Sequence, residues 1–141
     1  MNLYFDTSAL IKRYVDETGS TEVHDWIRSA DDKATALLTR AEMSAAINRM
    51  LRMRHLSQEG YRDALEQFRS DWMDFQRVPV TETLVARADA LACEHNLRGY
   101  DAIHLAAALT WQDLLEVPVT LVTYDKELAG AARTLGMMVL P

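Results

Sequence analysis

The chain has 141 residues, of which 49% are hydrophobic, and a formal net charge of −6. This apolar content excludes an intrinsically disordered protein, because disordered chains are poor in apolar side chains. The negative charge argues against a protein that coats nucleic acid by bulk charge, but it is compatible with an enzyme that holds divalent cations on acidic residues.

Short apolar runs alternate with amphipathic segments along the chain. The first run, Leu3 to Phe5, predicts a buried strand that ends at Asp6. Further along, Ser57 is placed to cap a helix, and Pro79 favours an edge position for the strand that contains it. In chain order, the pattern predicts strands at 3–5, 33–38, 77–80, 119–123 and 137–140, and helices at 8–15, from 20 onwards, at 40–54, from 57 onwards, and at 82–95, 101–115 and 125–135.

The alternation of strands and helices predicts the fold class. Strands that are separated by helices pair in parallel, because parallel strands need crossover connections. We therefore expect an α/β fold with a parallel sheet of about five short strands and helices on both faces. The length fits a single domain over residues 1–141, and no repeat or long linker interrupts it.

Two further features bear on the location of the protein. No apolar run reaches the roughly 18 residues that a membrane span needs, and the start of the sequence lacks the pattern of a secretory signal. Cys93 is the only cysteine, so no intrachain disulfide can form. We therefore expect a cytoplasmic protein with no membrane partner.

Four acidic residues fall where an open α/β sheet binds its ligands, just beyond the carboxyl ends of its strands. They are Asp6 after the first strand, Glu42 in the helix after the second, Asp101 at the start of a deeply apolar helix, and Asp125 after the fourth strand. Each has an ordinary structural explanation as well. Asp6 and Asp125 suit helix N-caps, Thr39 with Glu42 fits a capping box, and Asp101 suits the dipole of its helix.

Considered as a group, the four acids indicate a catalytic site that binds a divalent cation. Carboxylates that converge on one edge repel one another and raise one another's pKa unless a cation joins them. Hard oxygen ligands without Cys or His favour Mg²⁺ or Mn²⁺ over zinc. A metal held by carboxylates can activate water and neutralise the charge that develops on a phosphate, which is the equipment of phosphodiester hydrolysis.

Four stretches of the chain resemble the motifs of PIN-domain proteins, most closely the VapC-type toxins of bacterial and archaeal toxin–antitoxin modules. They are FDTSAL at 5–10, RAEM at 40–43, YDAIHLAAAL at 100–109 and VTYD at 122–125. The third stretch is the most specific of them. In this order and at this spacing, the four stretches extend over essentially the whole chain.

The resemblance implies a three-layer α/β/α sandwich and a metal-dependent endoribonuclease that acts on structured or translation-related RNA. It also implies Mg²⁺ or Mn²⁺ as cofactor, a homodimer, and a VapB-type antitoxin that blocks the site. Asp6 and Asp101 are expected to bind metal directly, and Glu42 and Asp125 directly or through water. The positions that match the family's acids and the hydroxyls beside them are Asp6, Thr7, Ser8, Glu42, Asp101, Thr123 and Asp125.

Several neighbouring residues are ambiguous. His104 can share a helical face with Asp101, but its apolar surroundings favour a packed histidine over a general base. Glu127 is the nearest match for a further acid that some relatives carry, but it would point away from Asp125 and stays outside the set. The basic residues that suit RNA phosphates, or equally a solvated helix face, are Lys12, Arg13, Arg40, Arg49 and Arg52.

Two other functional classes stay open. One is a phosphohydrolase that forms an aspartyl-phosphate on Asp6, although haloacid-dehalogenase-like enzymes want a second acid where this chain has Ser8. The other is a non-catalytic PIN-like scaffold that only binds RNA or protein, against which the intact carboxylates argue.

Overall fold

A computed structural model describes all 141 residues of the chain. Its strands are β1 (Asn2–Phe5), β2 (Asp32–Ala36), β3 (Gln76–Val78), β4 (Val119–Val122) and β5 (Met138–Leu140). Its helices are α1 (Thr7–Tyr14), α2 (Ser20–Ser29), α3 (Thr39–Arg52), α4 (Gln58–Asp71), α5 (Glu82–His95), α6 (Gly99–Leu115) and α7 (Lys126–Thr134). The predicted order of elements is confirmed, with strand boundaries that differ from the predicted ones by at most two residues.

The five strands form one parallel sheet in the order β3-β2-β1-β4-β5, which confirms the predicted fold class. Strand β3, which is followed by Pro79, lies at an edge, as its proline predicted. The chain winds outward from β1 to β3 and then returns to β4, on the other side of β1. The boundary between β1 and β4 is therefore a topological switch point, where open α/β sheets form their ligand crevice.

The central strand β1 supplies side chains to both faces of the sheet, because successive residues of a strand point to opposite sides. Leu3 and Phe5 pack with residues of α1, α2, α3 and α4. Tyr4 packs on the other face with residues of α5, α6 and α7. The molecule is thus a three-layer α/β/α sandwich with a separate apolar core on each side of the sheet.

Helix α6 is the central element of one core. Half of its eight buried residues are alanines, which let it lie close to the sheet and to α5, and Leu105 is fully buried among them. None of the helices is both long and apolar enough to cross a membrane. The close packing of α6 fixes the positions of Asp101 and His104, which it carries.

The capping box expected at the start of α3 is wrong. Thr39 is the first helical residue, and the N-cap is Leu38, which provides no side-chain hydrogen bond. The Thr39 hydroxyl is buried and pairs with the hydroxyl of Thr35 at 2.8 Å. Because Thr39 turns inward, Glu42 is not part of a cap and its carboxylate is free for other partners.

The packing of α6 gives a first prediction. Leu105→Ala should lower the free energy of unfolding by about 2–5 kcal/mol, because it leaves a cavity against the sheet. Leu114→Ala, in the same helix but 73% exposed, should change it by less than about 0.5 kcal/mol. Urea unfolding of both variants measures the difference, and equal losses would contradict the placement of α6.

Candidate active site

Asp6 lies at the switch point, directly after β1, and is only 3% exposed. It is the N-cap of α1 and accepts a hydrogen bond from the backbone N–H of Ala9 at 3.0 Å. The hydroxyls of Ser8 and Thr123 donate to its carboxylate at 2.8 and 2.7 Å. Three donors from two strand ends therefore hold this carboxylate in one orientation.

Burial raises the pKa of Asp6 above its ordinary value of 3.8. The nearby charge of His104 and the hydrogen bonds from Thr123 and Ser8 oppose this rise without cancelling it. Keeping Asp6 ionised at neutral pH therefore costs folding free energy, and a cation beside it would recover that free energy.

Glu42 is held from two sides, although it lies in the first turn of α3. The Thr7 hydroxyl donates to its Oε1 at 2.8 Å, and His104 Nε2 lies 2.7 Å from the same oxygen. Burial alone would raise the pKa of Glu42, but the hydrogen bonds from His104 and Thr7 and the charge of His104 lower it. All of these contacts involve Oε1, so Oε2 stays free to accept a proton.

His104 is buried beneath Glu42, which extends its predicted packing role. Its Nδ1 lies 3.0 Å from the hydroxyl of Tyr4, and its Nε2 lies 2.7 Å from Glu42 and 3.4 Å from the hydroxyl of Thr7. Nε2–H donates to Glu42, and the Tyr4 hydroxyl either donates to a bare Nδ1 or accepts from Nδ1–H when the ring carries a positive charge. Burial and the charges of Asp6 and Glu42 raise the pKa of Tyr4, so its phenol keeps its proton. The hydrogen bonds from Tyr4 through His104 therefore orient the carboxylate of Glu42 from the core.

Asp101 and Asp125 share one arginine. Arg98 Nε donates to Asp101 at 3.2 Å, and Arg98 Nη2 donates to Asp125 at 3.4 Å. Asp125 is also the N-cap of α7 and accepts from the backbone N–H of Leu128. Burial and the neighbouring charge of Asp125 raise the pKa of Asp101, against the effect of Arg98. The two acids therefore lie within electrostatic reach of each other.

The structure brings the four predicted acids to the same edge of the sheet. Glu42 contacts His104 directly, and Asp6 and Asp101 lie near enough for a charge on His104 to lower their pKa values. Their oxygens are the ligands that hard divalent cations prefer, and burial raises the pKa values of Asp6 and Asp101 above their ordinary value. No three Asp, Glu, His or Cys side chains stand close enough to hold an ion as they are, so the ligand set stays a prediction.

The predicted hydroxyl residues all lie in this site. Thr7 contacts Glu42, and Ser8 and Thr123 contact Asp6. Ser8 and Thr123 also accept from the backbone N–H groups of Tyr124 and Asp125, so they tie α1 to the end of β4. Ser8 is therefore a hydroxyl of the site, while the cap of α1 is Asp6.

The predicted basic residues divide into two sets. Lys12 pairs with Glu17 at 3.0 Å, Arg13 pairs with Asp71 at 3.7 Å, and Arg40 lies over the ring of Trp72. Arg49 and Arg52 are exposed on α3 and make no salt bridge. These two have guanidinium groups free for a phosphate.

Sequence reasoning missed two residues of this site. Arg98 had a readable signal, since it precedes Asp101 by three residues at a helix start, where side chains meet. Tyr4 had none, because the apolar run around it predicts only a buried strand. Glu127 is exposed, and it makes no salt bridge to any of the acids.

Comparison with known proteins agrees with the family resemblance of the motifs and with the observed fold. The family model described as PIN domain matches residues 3–133. Ribonuclease VapC45 of Mycobacterium tuberculosis is 32% identical over 139 residues, which cover 99% of this chain and 94% of that protein. Among solved structures, FitAcB from Neisseria gonorrhoeae aligns with a TM-score of 0.70 at 18% identity, over 99% of this chain and 96% of that one. A toxin-antitoxin complex from Klebsiella pneumoniae aligns with a TM-score of 0.66 at 22% identity, over 99% and 96%.

The raised pKa of Asp6 gives a second prediction, tested in metal-free buffer. A group whose pKa is higher in the folded than in the unfolded chain stabilises folding as the pH falls. The free energy of unfolding of the parent, relative to Asp6→Asn, should therefore rise as the pH is lowered from neutral to about 4, with a slope of at most about 1.4 kcal/mol for each step of one in pH. Asparagine also caps helices, so the start of α1 is kept.

Glu42→Gln is the matched variant, for which the pH dependence of the free energy of unfolding should have the opposite sign. Because the pKa of Glu42 is lowered, its stabilising contribution is present above its ordinary value of 4.5 and is lost as the pH falls below it. Urea unfolding at a series of pH values measures both differences. If the difference in free energy of unfolding between the parent and Asp6→Asn did not change with pH, the raised pKa of the buried Asp6 carboxylate would be contradicted.

Proposed function

Because the chain belongs to the PIN-domain family, we propose that it is a metal-dependent endoribonuclease, the toxin of a VapBC-type toxin–antitoxin pair. The observation that carries this proposal is the convergence of four carboxylates on the switch-point edge of the sheet. They stand at the four positions by which the chain resembles the VapC-type toxins. Relatives named as ribonucleases align along nearly the full length of the chain, which supports the same reaction.

The proposed cofactor is Mg²⁺ or Mn²⁺. Such an ion supplies positive charge that stabilises a phosphodiester in its transition state and eases the ionisation of water. Asp6 is the proposed central ligand, because its hydrogen bonds from Ser8 and Thr123 fix its orientation. Asp101 is the second direct ligand, and Glu42 and Asp125 act directly or through water.

The chain's own groups divide the remaining work. Glu42 Oε2 is the proposed acceptor for the proton of the attacking water, since Oε1 already receives Thr7 and His104. His104 and Tyr4 are positioning residues that hold Oε2 towards the edge. Arg98 offsets the charge of Asp101 and Asp125 while remaining 78% exposed. The water attacks the phosphorus as it gives a proton to Glu42, and the P–O bond to the leaving oxygen breaks. The leaving oxygen takes up a proton from Glu42 or from solvent, so one RNA end carries the phosphate and the other a hydroxyl.

No specific observation favours either alternative function, the aspartyl-phosphate phosphohydrolase or the non-catalytic scaffold. A haloacid-dehalogenase-like phosphohydrolase would need a second acid two residues after Asp6, but that position is Ser8, whose hydroxyl donates to the Asp6 carboxylate. A non-catalytic scaffold would have no need for Asp6 and Asp101 at this edge, where burial raises their pKa values and makes their ionised forms costly.

The proposal includes the partners that the family resemblance implies. An antitoxin of the VapB type fits the structural likeness to a toxin-antitoxin complex. A homodimer and a cytoplasmic location complete the proposal. The half-buried residues Tyr61 and Leu65 of α4 are compatible with a protein contact next to α3.

The third prediction concerns the acids. Asp6→Asn and Asp101→Asn should each lower RNA cleavage by about 100-fold or more while the circular dichroism spectrum is unchanged. Chelation of divalent ions should abolish cleavage by the parent, and Mn²⁺ or Mg²⁺ should restore it. The control is Asp32→Asn, an exposed carboxylate at the start of β2, which should cleave normally. Full cleavage by Asp6→Asn, or in chelator, would refute the proposed site.

The fourth prediction concerns RNA binding. Arg49 lies two turns after Glu42 in α3, roughly 10 Å away along the axis, and is free of salt bridges. Arg49→Glu should weaken RNA binding and reduce its dependence on salt, because one phosphate contact is lost. Arg28→Glu, with the same charge change at the far end of α2, is the control. Equal RNA affinities of the two variants, measured by fluorescence anisotropy, would remove Arg49 from the interface.

A further inference from the structure

Tyr100 is an unusual residue on the surface of this molecule. Its side chain lies in the first turn of α6, directly before Asp101, and is 65% exposed. Every other tyrosine, phenylalanine and tryptophan of the chain is buried or half-buried. Its hydroxyl makes no hydrogen bond, and no aromatic ring or cation packs on it. The fold therefore gains nothing visible from the ring.

The ring lines a cavity of about 480 Å³ that opens on the site. This volume lies in the range of small-ligand pockets. Two of the proposed catalytic acids, Glu42 and Asp101, line the same cavity. The remaining lining residues are Arg98, Gly99, Tyr100 and Ile103.

The wall beside the acids combines three kinds of surface. Tyr100 offers an aromatic face, and Ile103, one turn later in α6, offers apolar contact. A Cβ added to Gly99 would meet no atom within 4 Å other than those of its chain neighbours and its own helix backbone, so the space over Gly99 is open. Arg98 is bound to the acids through Nε and Nη2, while its Nη1 has no partner. A flat aromatic, an apolar patch and a free guanidinium N–H are what an unpaired nucleotide uses.

We propose that this cavity, formed by Tyr100, Ile103 and Arg98, is a subsite for the unpaired base of a nucleotide that flanks the scissile phosphate. The base stacks on Tyr100, and the free Nη1 of Arg98 faces its sugar–phosphate. The subsite rests on the proposed ribonuclease function, because it takes its position from Asp101 and Glu42. It requires an RNA that is single-stranded at the cut, since a paired base cannot reach the ring.

A base fits this cavity better than a protein side chain does. The cavity shares two carboxylates with the proposed reaction site, so a nucleotide next to a phosphate held there must lie beside it. Its positive group, Arg98, is 78% exposed and lies at the rim, where a phosphate can reach it. Stacking on an aromatic ring is tolerant of base identity, so the subsite would select for an unpaired nucleotide more than for sequence.

The test uses the full chain with Mn²⁺ and an RNA that the parent cleaves. Single abasic nucleotides replace the residues on either side of the cut, one at a time. At one position the abasic RNA should raise KM for the parent by about 5- to 100-fold, with kcat little changed. Tyr100→Ala should raise KM for the intact RNA by a similar factor, and Tyr100→Phe should not.

The decisive measurement is the combination of variant and substrate. Tyr100→Ala should cause no further loss on the abasic RNA, because both changes remove the same stacking contact. Independent losses that multiply, or a Tyr100→Ala variant with unchanged KM, would overturn the subsite. A Tyr100→Ala variant that cuts normally but escapes inhibition by an antitoxin would also overturn it and make the cavity a protein contact. No cleavage by the parent with Mg²⁺ or Mn²⁺ would instead refute the ribonuclease function itself.

Discussion

The concentration of negative charge at one edge of the sheet is the constraint on which the rest of this site depends. Partly or fully buried carboxylates that face one another favour protonation, unless each finds a donor or a cation. Each acid has its own partners in the fold. Two hydroxyls donate to Asp6, the imidazole of His104 contacts Glu42, and Arg98 is shared by Asp101 and Asp125. These contacts hold the carboxylates in place, but burial still raises the pKa values of Asp6 and Asp101 above their ordinary value.

Structural roles and proposed catalytic roles coincide at this edge for a geometric reason. In a parallel α/β sheet, the helix that follows a strand begins at that strand's carboxyl end, where ligands also bind. Asp6 and Asp125 therefore serve as N-caps of α1 and α7 and face the site at the same time. An acid at such a position stabilises its helix and remains available to a cation, so the capping explanation and the catalytic one do not compete.

Helix α6 shows how one segment divides these tasks along its length. Its alanine-rich body is buried and fixes the helix against the sheet. Its first turn carries Asp101 at the site and leaves Tyr100 in solvent, while His104, one turn later, reaches Glu42. A rigid body with an open first turn provides both precise placement of acids and a surface on which a substrate can lie.

The sequence by itself determined the fold class, the order of elements and the four acids, because hydrophobic periodicity and residues after strand ends are local patterns. It placed Pro79 at an edge strand for the same reason. Only the tertiary structure decided the partners of each acid, since these come from distant segments. It separated Thr39 from Glu42 by turning Thr39 towards Thr35, and it brought Tyr4 and His104 together across 100 residues. Side-chain direction depends on packing between layers, and no local pattern encodes that packing.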